Sequence, residues 1–175
     1  DADGAIWHRM GDLGYMDAQG RVWFCGRKAH RVITEEGVLY PIPCETIFNQ
    51  HPEVQRSALV GVGEPGRQRP VLVVEPKAGH FPQAVLDRQR FTMELLALGV
   101  EYAHTQVIRD VLFYRHVFPT DVRHNVKIQR EQLAVWAAQH LGERIAGAKR
   151  PAVARSGDVS YHGRRARRWL GVALG

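Results

Sequence analysis

The sequence predicts an α+β domain built from short hairpins and two or three helices, followed by a basic tail. Apolar, β-branched segments occur in pairs around turn residues, which is typical of hairpins. Residues 83–98 and 131–141 instead carry apolar side chains at helical spacing. Hairpins that alternate with a few amphipathic helices are typical of the α+β class. After Leu141 the composition shifts to Gly, Ala and Arg, which predicts a flexible tail.

The first hairpin is predicted over residues 13–16 and 21–25, the second arm being rich in β-forming residues. Residues 17–20, DAQG, supply its turn, because Asp bonds its own backbone and Gly accepts a positive φ. Asp12 precedes the hairpin and Arg27 follows it. Packing alone would not place a polar residue at either position, so both are candidate functional residues.

A second, shorter hairpin and a helix follow. The sequence predicts strands at residues 31–34 and 38–40 around the turn EEG, and a helix at residues 44–49 with Pro43 in its first turn. The remaining predicted elements are a buried strand at 54–62, its hairpin partner at 70–74, the helix at 83–98, a strand at 107–114, a polar loop at 119–127 and the helix at 131–141.

The net charge of +6 belongs to the tail. Residues 142–175 hold 8 of the 24 basic and 2 of the 18 acidic groups, so residues 1–141 carry 16 of each and are neutral. The predicted domain therefore lacks the basic surface that nucleic-acid binding requires. No apolar run reaches the length of a membrane span.

The two cysteines, Cys25 and Cys44, form neither a disulfide framework nor a metal-ligand spacing. We expect two buried thiols in the cytoplasm, since no signal peptide precedes them. The histidines show no metal-ligand spacing either, so no metal site is predicted. The chain begins DADG without Met, and we expect it to be cut from a longer protein.

A string of ordered motifs resembles the region that joins the two domains of the adenylate-forming superfamily, which includes acyl-CoA synthetases, luciferases and peptide-synthetase adenylation domains. The resemblance covers about residues 5–140 and is carried by Gly11-Asp12, the turn DAQG, Gly26-Arg27, Pro43-Cys-Glu45, His51-Pro52 and Lys127-Ile-Gln-Arg130. The details WFCGRKAHRV and RHNVKI look most like the olefin-biosynthesis fatty acyl ligases, the β-lactone synthetases.

The resemblance implies a domain layout and three site residues. Residues 1–27 would be a junction from a large N-terminal domain, 28–141 a C-terminal lid domain with a mixed sheet, and 142–175 the tail. Asp12 and Arg27 would bind the ribose of ATP and of the acyl-adenylate. Lys127 would swing onto the α-phosphate and the substrate carboxylate.

Each of these residues also has a plainer interpretation. Asp12 could cap a turn, Arg27 could form a surface ion pair with Asp17, and Lys127 could be a solvated charge. Glu45 is interpreted as a structural carboxylate at a helix start.

Several positions depart from the family pattern, and one of them is Met10, where the family usually has a hydroxyl residue before Gly11. The glycine that usually precedes the lysine is Val126 here, and the domain hinge, usually Asp or Lys, is Ala29. A hinge without a polar anchor leads to the hypothesis that the reaction ends without a thiol acceptor.

The function implied is an ATP-dependent ligase that converts a long-chain, β-hydroxy fatty acid into acyl-AMP and then into a β-lactone or acyl-CoA. ATP and Mg²⁺ would be bound mainly by the missing N-terminal domain, with coenzyme A used where the acceptor is a thiol. The isolated chain is predicted to be inactive. Two alternatives are a stand-alone binding module and a gene fragment with an out-of-frame tail.

Overall fold

The computed structural model describes residues 10–121 and 127–147, the side chains of residues 143–147 excepted. The predicted α+β class is confirmed. The elements are β1 (Asp12–Met16), β2 (Val22–Arg27), a 3-10 turn (Lys28–His30), β3 (Val32–Ile33), β4 (Val38–Leu39), α1 (Pro41–Phe48), β5 (Val54–Val62), β6 (Arg69–Pro76), α2 (Val85–Val100), β7 (Asp110–Phe113) and α3 (Arg130–Gly147).

The described strands form three sheets. Strands β1 and β2 make one antiparallel hairpin, and β3 and β4 make another. The third sheet has the order β5-β6-β7, with β5 antiparallel and β7 parallel to β6. Strand β7 is parallel because α2 carries the chain back along the sheet, as a parallel connection requires.

The three-stranded sheet is covered on both faces, which explains why β6 is apolar almost throughout. Leu72 and Val74 point into a cluster with Phe48 of α1 and Phe91 of α2. The alternate residues of β6 point into a second cluster, on the face covered by α3. The sheet thus holds α1 and α2 on one side and α3 on the other.

Several predicted boundaries were wrong. Helix α1 begins at Pro41, which takes the first helical position that the prediction gave to Pro43. Strand β7 begins at Asp110 rather than Val107 because residues 101–107 are turns, closed by a hydrogen bond from Thr105 Oγ1 to the Gly99 carbonyl (2.6 Å). Helix α3 ends at Gly147 instead of Leu141. The segments before Met10 and after Gly147 lie outside the described residues.

Cys25 and Cys44 are both free and buried, as expected. Burial raises the pKa of the Cys44 thiol to about 12, with a further contribution from the Glu45 carboxylate, and burial also raises the pKa of Cys25. We therefore expect native Cys44 to resist iodoacetamide at pH 8, where a free cysteine of pKa about 8.5 reacts readily. Mass spectrometry of native and urea-unfolded protein measures this, and rapid native labelling of Cys44 would contradict the fold around α1.

Among the described helices, none is both long and apolar enough to cross a bilayer.

Candidate functional site

Asp12 and Arg27 face each other across the open end of the first hairpin. They are register partners of β1 and β2, and Arg27 Nε lies 3.0 Å from Asp12 Oδ1. Arg27 also donates a hydrogen bond from Nη1 to the Met10 carbonyl at 2.8 Å. The arginine is thus fixed both to the carboxylate and to the backbone that leads into it.

This pair remains open to solvent. The Asp12 side chain is 27% exposed and that of Arg27 is 44% exposed. Asp12 Oδ1 is buried against the guanidinium without an aligned hydrogen bond, so the contact is one of charge. Exposed ion pairs add at most about 1 kcal/mol to stability. A carboxylate held in this way keeps its capacity to accept hydrogen bonds from a ligand.

The predicted alternative partner of Arg27, Asp17, was wrong. Asp17 accepts hydrogen bonds from Arg21 Nε (2.6 Å), from Trp23 Nε1 (2.9 Å) and from two backbone N–H groups of its own turn. The hydrogen bond from Trp23 is the main reason why the pKa of Asp17 is lowered. Asp17 stabilises the turn, whereas Arg27 forms its ion pair with Asp12.

A bulge brings Arg27 into this register. Leu13 pairs with Gly26 whereas Gly14 pairs with Phe24, so Cys25 is the extra residue of β2. Gly26 has φ +109°, and a Cβ there would lie 3.3 Å from Ile42 Cγ1 of α1. Glycine therefore permits both the backbone conformation and the approach of α1 to the hairpin.

We expect Gly26→Ala to lower the free energy of unfolding by about 1–3 kcal/mol, since it adds backbone strain to a tight contact. The matched control is Gly20→Ala, which also has positive φ (+76°) but meets nothing within 4 Å. Urea denaturation of both variants measures the difference, and equal stabilities would contradict the importance of the Ile42 contact.

Lys127 lies on a short two-stranded clip formed by residues 119–121 and 127–129. The Asp121 N–H donates to the Lys127 carbonyl (3.0 Å) and the Gln129 N–H donates to the Pro119 carbonyl (2.8 Å), with a β-bridge between Thr120 and Ile128. The Lys127 side chain is exposed. Residues 122–126, which include Val126, lie outside the described part of the chain.

The start of α3 also contacts the segment after Arg27. His30 Nε2 lies 3.4 Å from Glu131 Oε1. Burial is the main cause of a lowered pKa at His30, with the nearby Arg130 guanidinium acting in the same direction. Within the described residues, no hydrogen bond or ion pair joins Lys127 to Asp12 or Arg27. The structure therefore brings Asp12 and Arg27 together. In the described part of the chain, Lys127 is linked to this pair only indirectly, through the contact between His30 and Glu131.

Comparison with known proteins supplies the family. The chain is 53% identical over 140 residues to the olefin beta-lactone synthetase of Xanthomonas campestris pv. campestris, covering 79% of this chain and 24% of the relative. It is 46% identical over 145 residues to the Stenotrophomonas maltophilia enzyme of the same name, covering 82% and 25%. Its fold resembles that of an anthranilate CoA ligase in complex with anthranoyl-AMP, with a TM-score of 0.61, 26% identity, and coverage of 76% of this chain and 25% of that one.

The chain belongs to the adenylate-forming superfamily. It has the fold of the C-terminal domain of these enzymes and spans about a quarter of the length of the relatives it matches. No protein-family model matches it. The relatives are ligases, which does not favour the alternative of a stand-alone binding module.

Glu45 does not lie at a helix start, so the predicted position was wrong, whereas its contacts are structural ones. It lies inside α1, is 7% exposed, and makes a bidentate ion pair with Arg130, whose side chain is 11% exposed. Its Oε1 also accepts the Leu59 N–H at 2.7 Å. Burial raises the pKa of Glu45, while Arg130 and the Leu59 N–H favour the charged form. Both partners stand in family motifs, and that was the signal available in the sequence.

No group of three or more potential metal ligands occurs among residues 10–121 and 127–147 of the domain.

Proposed function

We propose that the chain is the C-terminal part of an ATP-dependent ligase that adenylates a long-chain, β-hydroxy fatty acid. The acyl-AMP would then close to a β-lactone or pass to coenzyme A. The observation that carries this proposal is the Asp12–Arg27 pair, which stands in register at the open end of the hairpin with both side chains partly exposed. The identity of 53% to a named β-lactone synthetase supports the choice of substrate class.

In this proposal Asp12 accepts hydrogen bonds from the two ribose hydroxyls. A fixed carboxylate suits a diol, because charge-assisted hydrogen bonds are about twice as strong as neutral ones. Arg27 holds the carboxylate from one side and offers further donors of its planar guanidinium to the ribose. The pair would orient the nucleotide and take no part in bond making.

Lys127 would supply positive charge where the carboxylate attacks the α-phosphorus. Negative charge builds on the phosphate oxygens at that stage, and a positioned ammonium stabilises it. Lys127 is the first residue of the second strand of the clip, and its side chain is exposed. The ammonium can therefore extend away from the domain. The balanced step is acyl carboxylate plus ATP giving acyl-AMP and pyrophosphate.

The larger domain and Mg²⁺ would come from outside the chain. The Asp12 carboxylate faces Arg27, and the described residues group no set of metal ligands, so we assign Mg²⁺ to the larger domain. Three large apolar side chains that share one face of the first hairpin, Met16, Val22 and Phe24, are each more than half exposed. We propose that this surface packs against the larger domain, in a junction formed by residues 1–27 followed by the lid.

Two smaller observations support proposals for the acceptor and for the cellular location. Ala29 lies in the 3-10 turn directly after β2, and its methyl group offers no polar anchor for a hinge. We propose that the enzyme finishes by lactone closure without a thiol. The free thiols suit a reducing compartment, so we propose a cytoplasmic location.

A graft tests the proposed function. The chain replaces the segment that it matches in the Xanthomonas campestris relative, and this assembled enzyme is given ATP and 3-hydroxy fatty acids. We expect acyl-AMP and pyrophosphate, followed by a lactone without coenzyme A, whereas the chain alone forms neither. Failure to form acyl-AMP by a folded graft would overturn the ligase proposal, and strict dependence on coenzyme A would overturn lactone closure.

A further inference from the structure

The clip that carries Lys127 is held at both ends by a buried carboxylate. Glu75 of β6 accepts the Phe118 N–H at the start of the clip, and Glu45 of α1 binds Arg130 at its end. We propose that Glu45 and Glu75 are positioning residues, which set the location of Lys127 for the adenylation step. This inference rests on the proposed function.

Glu75 holds the first end. Its Oε2 accepts the Phe118 N–H at 2.6 Å and also the Arg56 Nε at 2.8 Å. The Phe118 ring is buried, and the Arg56 guanidinium lies 5.3 Å from the ring centroid. The residue before Pro119 is therefore fixed by its backbone and its side chain together.

Glu45 holds the second end. Both of its oxygens bind the Arg130 guanidinium, and the Leu59 N–H ties the same carboxylate to the central sheet. Arg130 comes three residues after Lys127 and begins α3. Because a bidentate pair fixes direction as well as distance, the start of α3 is held relative to α1 and β5.

Stability alone does not explain why charged side chains, Glu45 and Glu75, occupy these two buried positions. A buried ion pair pays a desolvation cost, and apolar side chains of similar volume often serve stability as well. A carboxylate that accepts hydrogen bonds from both a backbone N–H and a guanidinium fixes the relative position of the two segments that carry these donors. Between these two anchors the clip closes by its own hydrogen bonds, so the backbone of Lys127 is held in place.

Hydrogen exchange on the chain itself gives the first test. Glu45→Gln and Glu75→Gln keep volume and an acceptor for the backbone N–H while removing the charge. We expect the Asp121 and Gln129 amides to exchange about tenfold faster or more in each variant. The control is Asp110→Asn, which weakens another bidentate pair, with Arg69, on β6 and β7. Unchanged exchange in both glutamate variants would overturn the inference.

Kinetics of the assembled enzyme gives the second test. We expect Glu45→Gln to lower the kcat of adenylation by on the order of 10²-fold while the KM for ATP changes little, because a small misplacement of a catalytic group is costly. In the Lys127→Ala background the same change should cost less than about twofold, since the group to be positioned is gone.

A merely structural role would lower activity equally in both backgrounds, and that result would overturn the inference while leaving the ligase proposal intact. Glu75→Gln repeats the cycle should Glu45→Gln fail to fold, because Arg56 is partly exposed and can be solvated. If the unsubstituted graft formed no acyl-AMP, the proposed function itself would fall.

Discussion

Lys127→Ala lowers acyl-adenylate formation by the assembled enzyme about 10²–10³-fold, the range found when one group that stabilises transition-state charge is removed. Because Lys127 is exposed, the melting temperature should stay unchanged. The loss should fall on kcat rather than on the KM for ATP, because the charge that Lys127 meets develops only as the carboxylate attacks.

Pyrophosphate release from 3-hydroxy fatty acids, at saturating ATP, measures this effect. Lys77→Ala is the matched control, since Lys77 is also exposed but lies directly after the end of β6. The control should retain full activity. Equal rates for Lys127→Ala and the unsubstituted enzyme would remove the lysine from the mechanism.

Phe91→Ala lowers the free energy of unfolding by about 3–5 kcal/mol, the usual cost of emptying a buried aromatic site. Phe91 is fully buried on α2, and its ring centroid lies 4.8 Å from that of His51 and 4.8 Å from that of Phe113 on β7. It therefore packs α2 against the segment between α1 and β5 and against β7.

Urea denaturation of the isolated chain measures this loss. The control is Met93→Ala, which shortens an exposed side chain on the same helix and should change stability by less than about 0.5 kcal/mol. A loss below about 1 kcal/mol for Phe91→Ala would mean that α2 does not pack on the sheet as described.

The local parts of the fold were predictable because their causes are local. The turn DAQG fixed the first hairpin, and the long β-branched segment of β5 has the bounds that its pattern predicts. The parallel pairing of β7 was not predictable, because nothing within residues 110–113 specifies which strand it meets. The start of α1 was missed because two prolines both suit a first turn and only packing chooses between them.

The same difference between local causes and long-range packing applies to the candidate site. The turn and the bulge place Asp12 opposite Arg27, and the motif spacing already indicated a pair. Glu45 and Arg130 are 85 residues apart, so their ion pair depends on the packing of α1 against α3 and could not be read from spacing. In the sequence Glu75 resembles any other strand residue, and its role becomes apparent only from the hydrogen bond that it accepts from the Phe118 N–H.

The most direct measurement of the central claim compares ATP with 2′,3′-dideoxy-ATP in the assembled enzyme, before and after Asp12→Ala. If Asp12 accepts both ribose hydroxyls, the unsubstituted enzyme should prefer ATP by about 10²-fold or more in kcat/KM, given the worth of hydrogen bonds to a charged group. The Asp12→Ala variant should lose most of this preference because ATP becomes a poorer substrate. An undiminished preference in Asp12→Ala would show that the ribose is bound elsewhere and would contradict the account.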